Sequence, residues 1–560
     1  MSGEGVSAVG TSAAGRPTQE GILRRQSARE PAARTYARAL PIVPVRARGL
    51  TIEDADGRRY LDCLSGAGTL ALGHNHPVVL EAIRKVLDSG APLNVPDLAT
   101  PVRDAFITEL FRTLPPGLAA HARVQFCGPA GTDAVEAALG LVQAATGRTG
   151  VLAFTGAHHG MTSGSFDASG GAFDVRATRL PFPQDYRCPF GVGGERGADL
   201  AARWTESVLD DPRSGVRPPA GMILEPVQGE GGVLPAPDAW MRRIRQITAE
   251  RSIPLIADEA QTGVGRTGAF WAVEHSGITP DVMVLSKAIG GSLPLAVIVY
   301  RDSLDVWEPG APMGTFRGNQ LAMAAGTATL AYVRSNRLAD RAATLGAHML
   351  SQLRQLARDI PCIGDVRGRG LMIGIEMVDP EALYDSGEHQ WAGRQGRAGA
   401  RDSEGSRTNS TGEPAAPAPG SAQVPLRAGS AGPGQVGVSA DAASSRLHSP
   451  AQGEGIPTAD VRGPHPAAPG LAAAVHRECL RRGLIVELGG RHAGVVRLLP
   501  PLTISDEQAA AVLDRLADAV EAVARAHTGR TGQVDHGRSG PSQQPTGPPP
   551  RHGSGTEEPS

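Results

Sequence analysis

The middle of the sequence alternates short apolar runs with segments of helical periodicity, and this alternation restricts the fold more than any other feature. Apolar runs with the length of buried strands, each bounded by Gly, Pro or acidic residues, span residues 222–227, 254–258, 282–286 and 296–300. Residues 133–146 and 319–335 carry helical spacing instead. Strands that are separated by helices form a mostly parallel sheet covered on both faces. The pattern therefore predicts an α/β fold.

Composition separates this folded part from segments that are expected to be disordered. The chain has 72 Gly and 45 Pro but only 4% aromatic residues, so part of it is expected to lie outside any packed core. Residues 385–465 are rich in Gly, Ala, Pro, Ser and Arg with scattered single aliphatic residues, which predicts a disordered insertion. Strand-like runs stand on both sides of it, at residues 371–377, 484–488 and 495–499, and residues 471–482 and 506–526 carry helical periodicity.

Charge and cysteine usage exclude several classes of function. The 55 basic and 57 acidic residues and a pI near 6.7 give no electrostatic support for a nucleic-acid or membrane partner. The five cysteines are widely spaced and never form a CxxC pair, which argues against a disulfide framework or a zinc site. No secretory signal and no membrane-length apolar stretch is recognisable, so the expected location is the cytoplasm.

Only two of the 55 basic residues are lysines, Lys85 and Lys287. Lys85 falls on the polar face of an amphipathic helix predicted at residues 77–89, and we interpret it as a surface residue. Lys287 follows the apolar run 282–285 and is therefore predicted at the carboxyl end of a buried strand, where open α/β sheets bind ligands. A lysine can lose its proton and form an imine, which arginine cannot.

Further polar groups are predicted close to Lys287. The strand at residues 254–257 ends in Asp258, and Gln261 follows, so an acid and an amide emerge at the same sheet edge. Such an acid can keep a pyridine nitrogen protonated, and the amide can hydrogen-bond a ring oxygen. The glycine-containing turn at residues 128–132 opens a predicted helix, whose N-terminus can bind phosphate. Each signal alone is also typical of turns and caps.

In combination, and in the same order along the chain, these residues resemble the class III aminotransferases, pyridoxal-phosphate enzymes of fold type I. The shared motifs are Gly73-His74-Asn75-His76-Pro77, Gly131-Thr132, Gly156-Ala157-His158-His159-Gly160, Glu225-Pro226-Val227-Gln228-Gly229-Glu230, Asp258-Glu259-Ala260-Gln261-Thr262-Gly263, Ser286-Lys287 and Gly314-Thr315-Phe316. Residues 65–68, 128–129 and 314–320 look most like diaminobutyrate aminotransferases, which exchange an amino group between 2,4-diaminobutyrate and 2-oxoglutarate. An ornithine- or acetylornithine-type ω-aminotransferase is the alternative within the family.

The resemblance implies a role for each site residue. Lys287 would hold pyridoxal 5'-phosphate as an imine and move the proton between substrate and cofactor, while Asp258 would pair with the ring nitrogen. Arg497 would bind a substrate carboxylate, and Glu230 would mask this arginine during the first half-reaction. The other implied cofactor contacts are Gln261 at the ring hydroxyl, His158 at the ring face, Gly131 and Thr132 at the phosphate, and Thr315 at the phosphate of the neighbouring subunit.

The resemblance also implies a homodimer with shared active sites, and an amino acid and a 2-oxo acid as substrates. The near-neutral charge predicts no nucleic-acid or membrane partner. It implies a large domain with a mostly parallel sheet of seven strands and a small α+β domain built from both chain ends. The corresponding boundaries are a disordered tail at 1–25, small-domain segments at 26–80, 326–384 and 466–527, the large domain at 81–325, the insertion at 385–465 and a disordered tail at 528–560.

Two positions depart from the family pattern. His158 stands where an aromatic ring usually stacks on the cofactor, and Ala260 stands where Val or Ile usually packs beneath it. At position 260 the loss of methyl groups from a packed position costs on the order of 1 kcal/mol. At position 158 the imidazole is a smaller and more polar ring than the usual one, so both changes predict weaker cofactor binding. A catalytically weakened homologue with a binding role is the alternative that they suggest.

Two further motifs permit other interpretations. Residues 263–268 fit GxGxxG, which would suggest a dinucleotide-binding dehydrogenase, but residues 258–261 separate them from the preceding strand. His74 and His76 could suggest a metal site, yet no third ligand lies at a suitable spacing, so we interpret them as turn residues and predict no metal.

Overall fold

The structure is a computed structural model and describes residues 18–30, 40–162, 164, 177–308, 314–382 and 464–534. The insertion predicted at residues 385–465 lies outside the described residues, apart from Pro464 and His465. Most of the two predicted tails lies outside them as well.

The described elements follow the alternation seen in the sequence. The helices are α1 Gln19–Arg29, α2 Pro77–Asp88, α3 Pro101–Phe111, α4 Pro116–Ala119, α5 Gly131–Thr146, α6 Gly194–Asp210, α7 Asp238–Glu250, α8 Gln320–Ser335, α9 Leu338–Asp359, α10 Pro469–Arg481 and α11 Asp506–Val534. The strands are β1 Pro44–Arg48, β2 Thr51–Asp54, β3 Arg59–Asp62, β4 Ala122–Gly128, β5 Val151–Phe154, β6 Ala177–Leu180, β7 Gly221–Leu224, β8 Val227–Gln228, β9 Leu234–Pro235, β10 Leu255–Asp258, β11 Val282–Leu285, β12 Ala296–Arg301, β13 Ile363–Arg369, β14 Met372–Met377, β15 Leu484–Ile485, β16 Glu487–Gly489 and β17 Val495–Leu498. Short 3-10 helices span Ala272–Ser276, Lys287–Gly290, Asp302–Leu304, Thr315–Gly318 and Arg491–Ala493.

A seven-stranded sheet forms the centre of the described fold, with the order β4-β12-β11-β10-β7-β5-β6. Strand β12 runs antiparallel to both of its neighbours, and the other adjacent pairs are parallel. Every residue of β5, β7, β10 and β11 is buried, which explains why these strands are apolar without alternation. The predicted α/β fold with a mostly parallel sheet is confirmed.

Two apolar runs that were predicted as single strands are each divided between two sheets. In the run 222–227, β7 ends before Pro226, which has no N–H to donate, and β8 then pairs with β9 in a separate ribbon. In the run 484–488, β15 pairs with β3 and β16 pairs with β17, so the chain crosses from one sheet to another at Val486. Apolar character alone does not reveal such a change of partner.

The described residues also form two four-stranded sheets. Strands β13, β14, β17 and β16 form an antiparallel sheet, in that order. Strands β1, β2 and β3 are joined by β15, which pairs parallel with β3, so segments from both ends of the chain share one sheet. Helix α9 packs on β13, and α10 packs on α11 and β15.

The inner ends of both predicted tails differ from the expectation of disorder. Helix α1 begins at Gln19 because the Thr18 side chain accepts a hydrogen bond from the backbone N–H of Gly21, at 3.2 Å. The Gln19 side chain also accepts from the backbone N–H of Val43, at 3.0 Å. At the other end, α11 continues to Val534. Across the described ranges, no helix combines the length and the apolar character needed to cross a membrane.

The turn that carries Lys287 is held by direct backbone contact with α8. A Cβ atom on Gly326 of α8 would overlap the carbonyl oxygen of Ile289. A Cβ atom on Gly291 would overlap the carbonyl oxygen of Ala325, and Gly291 has a φ of +56°. Glycine at these two positions therefore allows the backbone of α8 to fix the 3-10 helix Lys287–Gly290.

We expect Gly326→Ala to destabilise the protein by about 1–3 kcal/mol, because the added methyl group must push α8 away from the 3-10 helix. The free energy of unfolding is measured by urea titration, with tryptophan fluorescence as the signal. Gly470→Ala is the matched control: Gly470 lies in α10 with no atom near the added Cβ, so this change should be neutral or slightly stabilising. Equal stability of the two variants would contradict the close packing described above.

Candidate active site

The carboxyl ends of three adjacent strands bring charged side chains together. Asp258 ends β10, and the parallel register that pairs Ala257 with Leu224 of β7 places Glu225 beside it. Strand β11 lies on the other side of β10, and Lys287 follows its end. Parallel strands expose their carboxyl ends at one sheet edge, which is where ligands bind in this type of fold. The structure thus brings together Lys287 and Asp258 and adds Glu225, which was not predicted as a functional residue.

Lys287 has an unusual backbone conformation and a perturbed amine. Its φ is +52°, a region that non-glycine residues rarely adopt and that is typical of functional sites. Burial lowers the pKa of Lys287, and the positive charge of Arg497 acts in the same direction, against the carboxylates of Glu230 and Asp258. A lowered pKa increases the neutral fraction of the amine, which is the form that attacks a carbonyl carbon.

Asp258 is held by a donor on each of its carboxylate oxygens. Nδ1 of His159 lies 2.7 Å from Oδ2, and the backbone N–H of Ala260 donates to Oδ1 at 3.1 Å. The His159 side chain is fully enclosed. Burial lowers the pKa of His159, but the hydrogen bond and charge of Asp258, aided by Glu225, outweigh it, so the pKa is raised. The Asp258 carboxylate is therefore fixed in place beside an imidazole that favours its cationic form.

Glu225 is buried close enough to His159 for their charges to interact, and it anchors the loop that carries His158. Its carboxylate accepts hydrogen bonds from the backbone N–H groups of His158, at 2.9 Å, and of Gly229, at 3.0 Å. Burial raises the pKa of Glu225 to about 7, while the charge of His159 opposes the rise. Glu225 therefore titrates near neutral pH, although the sequence pattern suggested no function for it.

The N-terminus of α5 lies beside the turn of Lys287. A Cβ atom on Gly131 would lie 3.4 Å from the Cβ atom of Ser286, so the first turn of the helix adjoins the lysine. Thr132 follows, and its Oγ1 lies 2.6 Å from Oγ1 of Thr162. Backbone N–H groups and the helix dipole at such a terminus favour an anionic group. Binding of a phosphate by Gly131 and Thr132, which the resemblance implies, stays a prediction.

Of the two remaining predicted cofactor contacts, Gln261 is half-buried, whereas Thr315 is exposed. Nε2 of Gln261 donates to the carbonyl oxygen of Ala67 at 3.2 Å, which ties the residue after β10 to an early turn of the chain. Thr315 is exposed at the start of the 3-10 helix Thr315–Gly318, whose preceding residue Gly314 donates to the carbonyl oxygen of Cys127 at 2.9 Å. The expected contact of Thr315 with the phosphate of a neighbouring subunit stays a prediction.

Arg497 lies in β17 with its side chain fully enclosed, and two carboxylates meet its Nη2 atom. Nη2 donates to Oε1 and Oε2 of Glu230 at 2.9 and 2.8 Å. Oε2 of Glu487 lies 2.7 Å from the same nitrogen. The structure thus pairs Arg497 with Glu230, as the resemblance suggested, and adds Glu487. The antiparallel register sets Glu487 of β16 directly opposite Arg497. An acid and an arginine at paired positions of two adjacent strands are the sequence signal from which Glu487 could have been predicted.

The two carboxylates differ in their electrostatics. Burial raises the pKa of Glu230, but the charge and hydrogen bonds of Arg497 outweigh it, so the pKa is lowered. Burial also raises the pKa of Glu487, and here the opposing charge of Arg497 does not compensate. Among the described residues, Nε and Nη1 of Arg497 have no hydrogen-bond partner. A Cβ atom on Gly489 would lie 2.7 Å from Nε, so the guanidinium lies directly against the backbone of β16.

The residues present fit the cofactor that the resemblance implies. Lys287 supplies an amine for its aldehyde, Asp258 supplies a fixed carboxylate for its ring nitrogen, and Gly131 and Thr132 supply a helix N-terminus for its phosphate. These groups converge on one sheet edge. His158 and Glu230 line a cleft of about 360 Å³, which Arg187, Arg367 and Glu376 also line.

The two motifs with alternative interpretations have structural roles. Residues 263–268 form turns after β10 rather than opening an α-helix, and a Cβ atom on Gly268 would lie 3.0 Å from Cα of Ala343 in α9, so they serve packing. This geometry does not suit dinucleotide binding. Nε2 of His74 lies 2.7 Å from Oδ2 of Asp62. In the described ranges, no group of three or more His, Cys, Asp or Glu side chains is arranged to hold a metal ion.

Comparisons with known proteins point to a single family. Residues 32–390 match the family model described as aminotransferase class-III. A protein of Rhizobium meliloti named diaminobutyrate–2-oxoglutarate aminotransferase is 45% identical over 511 residues, which are 90% of this chain and 93% of the relative. A protein of Haemophilus influenzae with the same name is 47% identical over 373 residues, 65% of this chain and 82% of the relative. An amine transaminase from an uncultivated Pseudomonas species, solved in its PLP-bound form, has a TM-score of 0.66 at 25% identity and covers 88% of this chain and 98% of its own.

We expect Glu225→Gln to change how stability depends on pH. The pKa of about 7 in the folded protein lies above the ordinary value of 4.5, so ionisation of Glu225 opposes folding. This cost is absent below pH 4.5, grows between pH 4.5 and 7, and is complete above pH 7. The free energy of unfolding of the variant, relative to the unsubstituted protein, should therefore rise by on the order of 2–3 kcal/mol across this window.

Urea unfolding at a series of pH values measures this difference. Asp88→Asn, a change at an exposed acid in α2, is the control and should give no such rise. A difference for Glu225→Gln that stays flat or falls from pH 4.5 to 7 would show that the ionisation of Glu225 is not opposed by its surroundings.

Proposed function

The chain belongs to the class III aminotransferase family, and from that membership we propose that it transfers an amino group between L-2,4-diaminobutyrate and 2-oxoglutarate. Removal of the terminal amine of diaminobutyrate gives aspartate semialdehyde, and its addition to 2-oxoglutarate gives glutamate. Two relatives with 45% and 47% identity carry this activity in their names. The observation in this chain that carries the proposal is the pairing of Arg497 with Glu230 within the electrostatic reach of Lys287.

The cofactor is pyridoxal 5'-phosphate. When bound, it supplies an electron sink for the bond to be broken at the substrate carbon. Lys287 would bind its aldehyde carbon, Asp258 its ring nitrogen and Gln261 its ring hydroxyl. Gly131 and Thr132 would bind the phosphate.

Lys287 also serves as the base and acid of the reaction. Its lowered pKa leaves the amine able to accept a proton from the substrate carbon, and the resulting ammonium would donate that proton to the carbon on the cofactor side. The contact between α8 and the 3-10 helix Lys287–Gly290 keeps the amine at the sheet edge while it does so. His159 and Ala260 hold Asp258 in a fixed position during the same steps.

The pair formed by Arg497 and Glu230 allows one site to accept two different substrates. With Glu230 in place, the charge of Arg497 is neutralised and the site can admit an amine donor. When Glu230 turns away, Arg497 can bind a carboxylate of 2-oxoglutarate through two parallel hydrogen bonds. The exchange substitutes one carboxylate for another on the same guanidinium, so Arg497 keeps a carboxylate partner in both half-reactions.

The proposed assembly is a homodimer with shared active sites, located in the cytoplasm. Thr315 is exposed next to Phe316, whose side chain is 62% exposed, and the neighbouring loop contributes Leu93 and Leu98 at 50% and 64%. Contiguous exposed apolar side chains of this size mark interaction surfaces. The segments adjoin, because the backbone N–H of Val95 donates to the carbonyl oxygen of Gly318. The five cysteines are all free, which is consistent with the proposed location, because the cytoplasm is reducing and disulfides rarely form there.

We expect borohydride reduction of the holoenzyme to bleach its yellow absorbance and to attach the cofactor to Lys287. The sequence contains one other lysine, so Lys85→Ala is a matched control. Lys85 lies on the surface of α2, where it pairs with Glu81 at 2.8 Å, and its loss should leave the adduct unchanged. Mass spectrometry of the digested protein locates the adduct. An adduct on Lys85, or none at all, would contradict the role of Lys287.

We expect diaminobutyrate to be the preferred donor when 2-oxoglutarate is the acceptor. Ornithine is one methylene longer, and a pocket distinguishes one methylene by about 10- to 200-fold in kcat/KM. The measurement is glutamate formation with diaminobutyrate, ornithine and N-acetylornithine, and Lys287→Ala should abolish it with every donor. A preference for ornithine or N-acetylornithine would assign the chain to another activity of the same family.

A further inference from the structure

We propose that Arg187 and Arg367 form a second carboxylate site. In the first half-reaction this site holds the carboxylate of the donor, and in the second it holds the carboxylate of 2-oxoglutarate that lies farther from the oxo group. The inference rests on the proposed function, because it names the groups that bind the unreacting end of each substrate. Arg497 stays paired with Glu230 while the donor reacts.

Both substrates require a cation other than Arg497. While the donor reacts, Glu230 occupies Nη2 of Arg497 at 2.9 and 2.8 Å, so the carboxylate of diaminobutyrate needs another partner. When 2-oxoglutarate reacts, one of its two carboxylates takes the place of Glu230, and the other still needs a partner. A carboxylate that enters an enclosed site loses hydration, which a cation with free donors can offset.

The cleft beside Lys287 offers two such cations. Arg187 and Arg367 line the same cleft as Glu230, and the side chain of each arginine is 13% exposed, so a ligand can reach both. Glu230 and His158, which also lines the cleft, lie within the electrostatic reach of Lys287. The cleft therefore adjoins the reacting amine.

Neither arginine has all of its donors engaged. Nε of Arg187 contacts Glu376, and its Nη2 donates to the carbonyl oxygen of His465 at 2.9 Å, so Nη1 has no partner among the described residues. Nη1 of Arg367 donates to Glu376 at 2.6 Å, and its Nε donates to the carbonyl oxygen of Gly232 at 2.9 Å. Within the same described ranges, Nη2 of Arg367 has no partner. Each arginine thus keeps one terminal nitrogen for a ligand.

The charges that line the cleft favour an anion. Glu376 is shared by both guanidinium groups, and its side chain is 5% exposed. Asp365 also meets Nη1 of Arg367, at 2.8 Å, but it lines a neighbouring cavity rather than this cleft. Glu230 is neutralised by Arg497, so two arginines face one unshared acid in the cleft. A ligand carboxylate would balance the remaining positive charge through charge-assisted hydrogen bonds.

Strand register places this site beside Arg497. Arg367 of β13 is paired with Gly374 of β14, which is paired in turn with Arg497 of β17. Side chains at paired positions lie on one face of a sheet, so the two arginines lie on the same face, about 10 Å apart at the usual strand spacing. This separation suits a dicarboxylate such as 2-oxoglutarate, with one carboxylate at each arginine.

A simpler alternative is that the ion pairs only join the loop of Arg187 to the sheet that contains Glu376. Removing Arg187 would then affect all substrates alike, whereas a carboxylate site affects only substrates with a carboxylate at that end. Two compounds separate these roles. 1,3-Diaminopropane is diaminobutyrate without its carboxylate, and 2-oxobutyrate is 2-oxoglutarate without the carboxylate farther from the oxo group.

The experiment follows both half-reactions by cofactor absorbance. The enzyme loaded with pyridoxal 5'-phosphate is mixed with diaminobutyrate or 1,3-diaminopropane, and the enzyme loaded with pyridoxamine 5'-phosphate is mixed with 2-oxoglutarate or 2-oxobutyrate. We expect Arg187→Gln to raise the half-saturating concentration of diaminobutyrate and of 2-oxoglutarate by about tenfold or more, as for the loss of a charged hydrogen bond. The values for 1,3-diaminopropane and 2-oxobutyrate should change by less than about threefold, because these compounds have no group for the site.

Arg245→Gln is the matched control. Arg245 shares the carboxylate of Asp281 with Arg301, which repeats the arrangement of two arginines on one acid. Asp281 precedes β11, at the end of that strand away from Lys287, so this change should leave all four reactions unaltered. Arg187→Lys keeps the charge without the forked geometry and should retain more of the selectivity than Arg187→Gln.

Two further measurements keep the test decisive. If Arg187→Gln fails to fold or to bind the cofactor, Arg187→Lys takes its place and should weaken the two carboxylate substrates by about threefold or more relative to their matched compounds. If a matched compound reacts too slowly to be measured, the holoenzyme is titrated with glutarate in a calorimeter. Arg187→Gln should then raise the dissociation constant of glutarate by about tenfold, and Arg245→Gln should not change it.

The outcomes distinguish this inference from the proposed function. If the change at Arg187 affects each substrate and its matched compound equally, or affects none of them, Arg187 serves only the fold and the inference is overturned, while the proposed function stands. An unchanged dissociation constant of glutarate overturns it as well. An unsubstituted enzyme that reacts with 2-oxoglutarate but not with diaminobutyrate contradicts the proposed donor alone, because the second half-reaction still tests the arginines. An unsubstituted enzyme that reacts with neither contradicts the proposed function itself.

Discussion

The structure depends on a balance of charge at one edge of the central sheet. The amine of Lys287 lies within the electrostatic reach of Glu230, Asp258, Glu225 and Arg497, and each of these groups stands in partly or fully enclosed surroundings. In such surroundings charges interact more strongly than in water, so the protonation of each group is set by its neighbours. The lowered pKa of the lysine and the raised pKa of Glu225 are two consequences of the same arrangement. A change in strand register would disturb all of them together.

Two sheets supply the parts of this arrangement. The central sheet brings the lysine and its acids to the ends of β7, β10 and β11, and the antiparallel sheet of β13, β14, β17 and β16 brings Arg497 and Glu487. Hydrogen bonds from Arg497 to Glu230 then join the two sets of residues, which lie 267 positions apart in the sequence. The proposed substrate site therefore requires that both sheets form, although the residues proposed to bind the cofactor belong mainly to the first.

The sequence predicted the part of the site whose signals are local. An apolar run followed by Lys287 or Asp258 identifies a strand end, and the resemblance to a family extended this to Arg497 and Glu230. Sequence reasoning missed Glu225 and Glu487, because their importance comes from burial and from strand register rather than from a local pattern. The same limit explains the two divided strands, where a mostly apolar run contained a proline or a crossing between sheets that periodicity does not record.

The trio formed by Arg497, Glu230 and Glu487 contains one more acid than is needed to balance the charge of the arginine. A single arginine–glutamate pair can exchange its glutamate for a substrate carboxylate at little electrostatic cost, but that exchange recognises only carboxylates. A second acid, held opposite the arginine by the hairpin of β16 and β17, remains when the first one leaves. Arg497 therefore has a carboxylate neighbour whether or not Glu230 is in place, so the enclosed guanidinium is not left without a counter-charge.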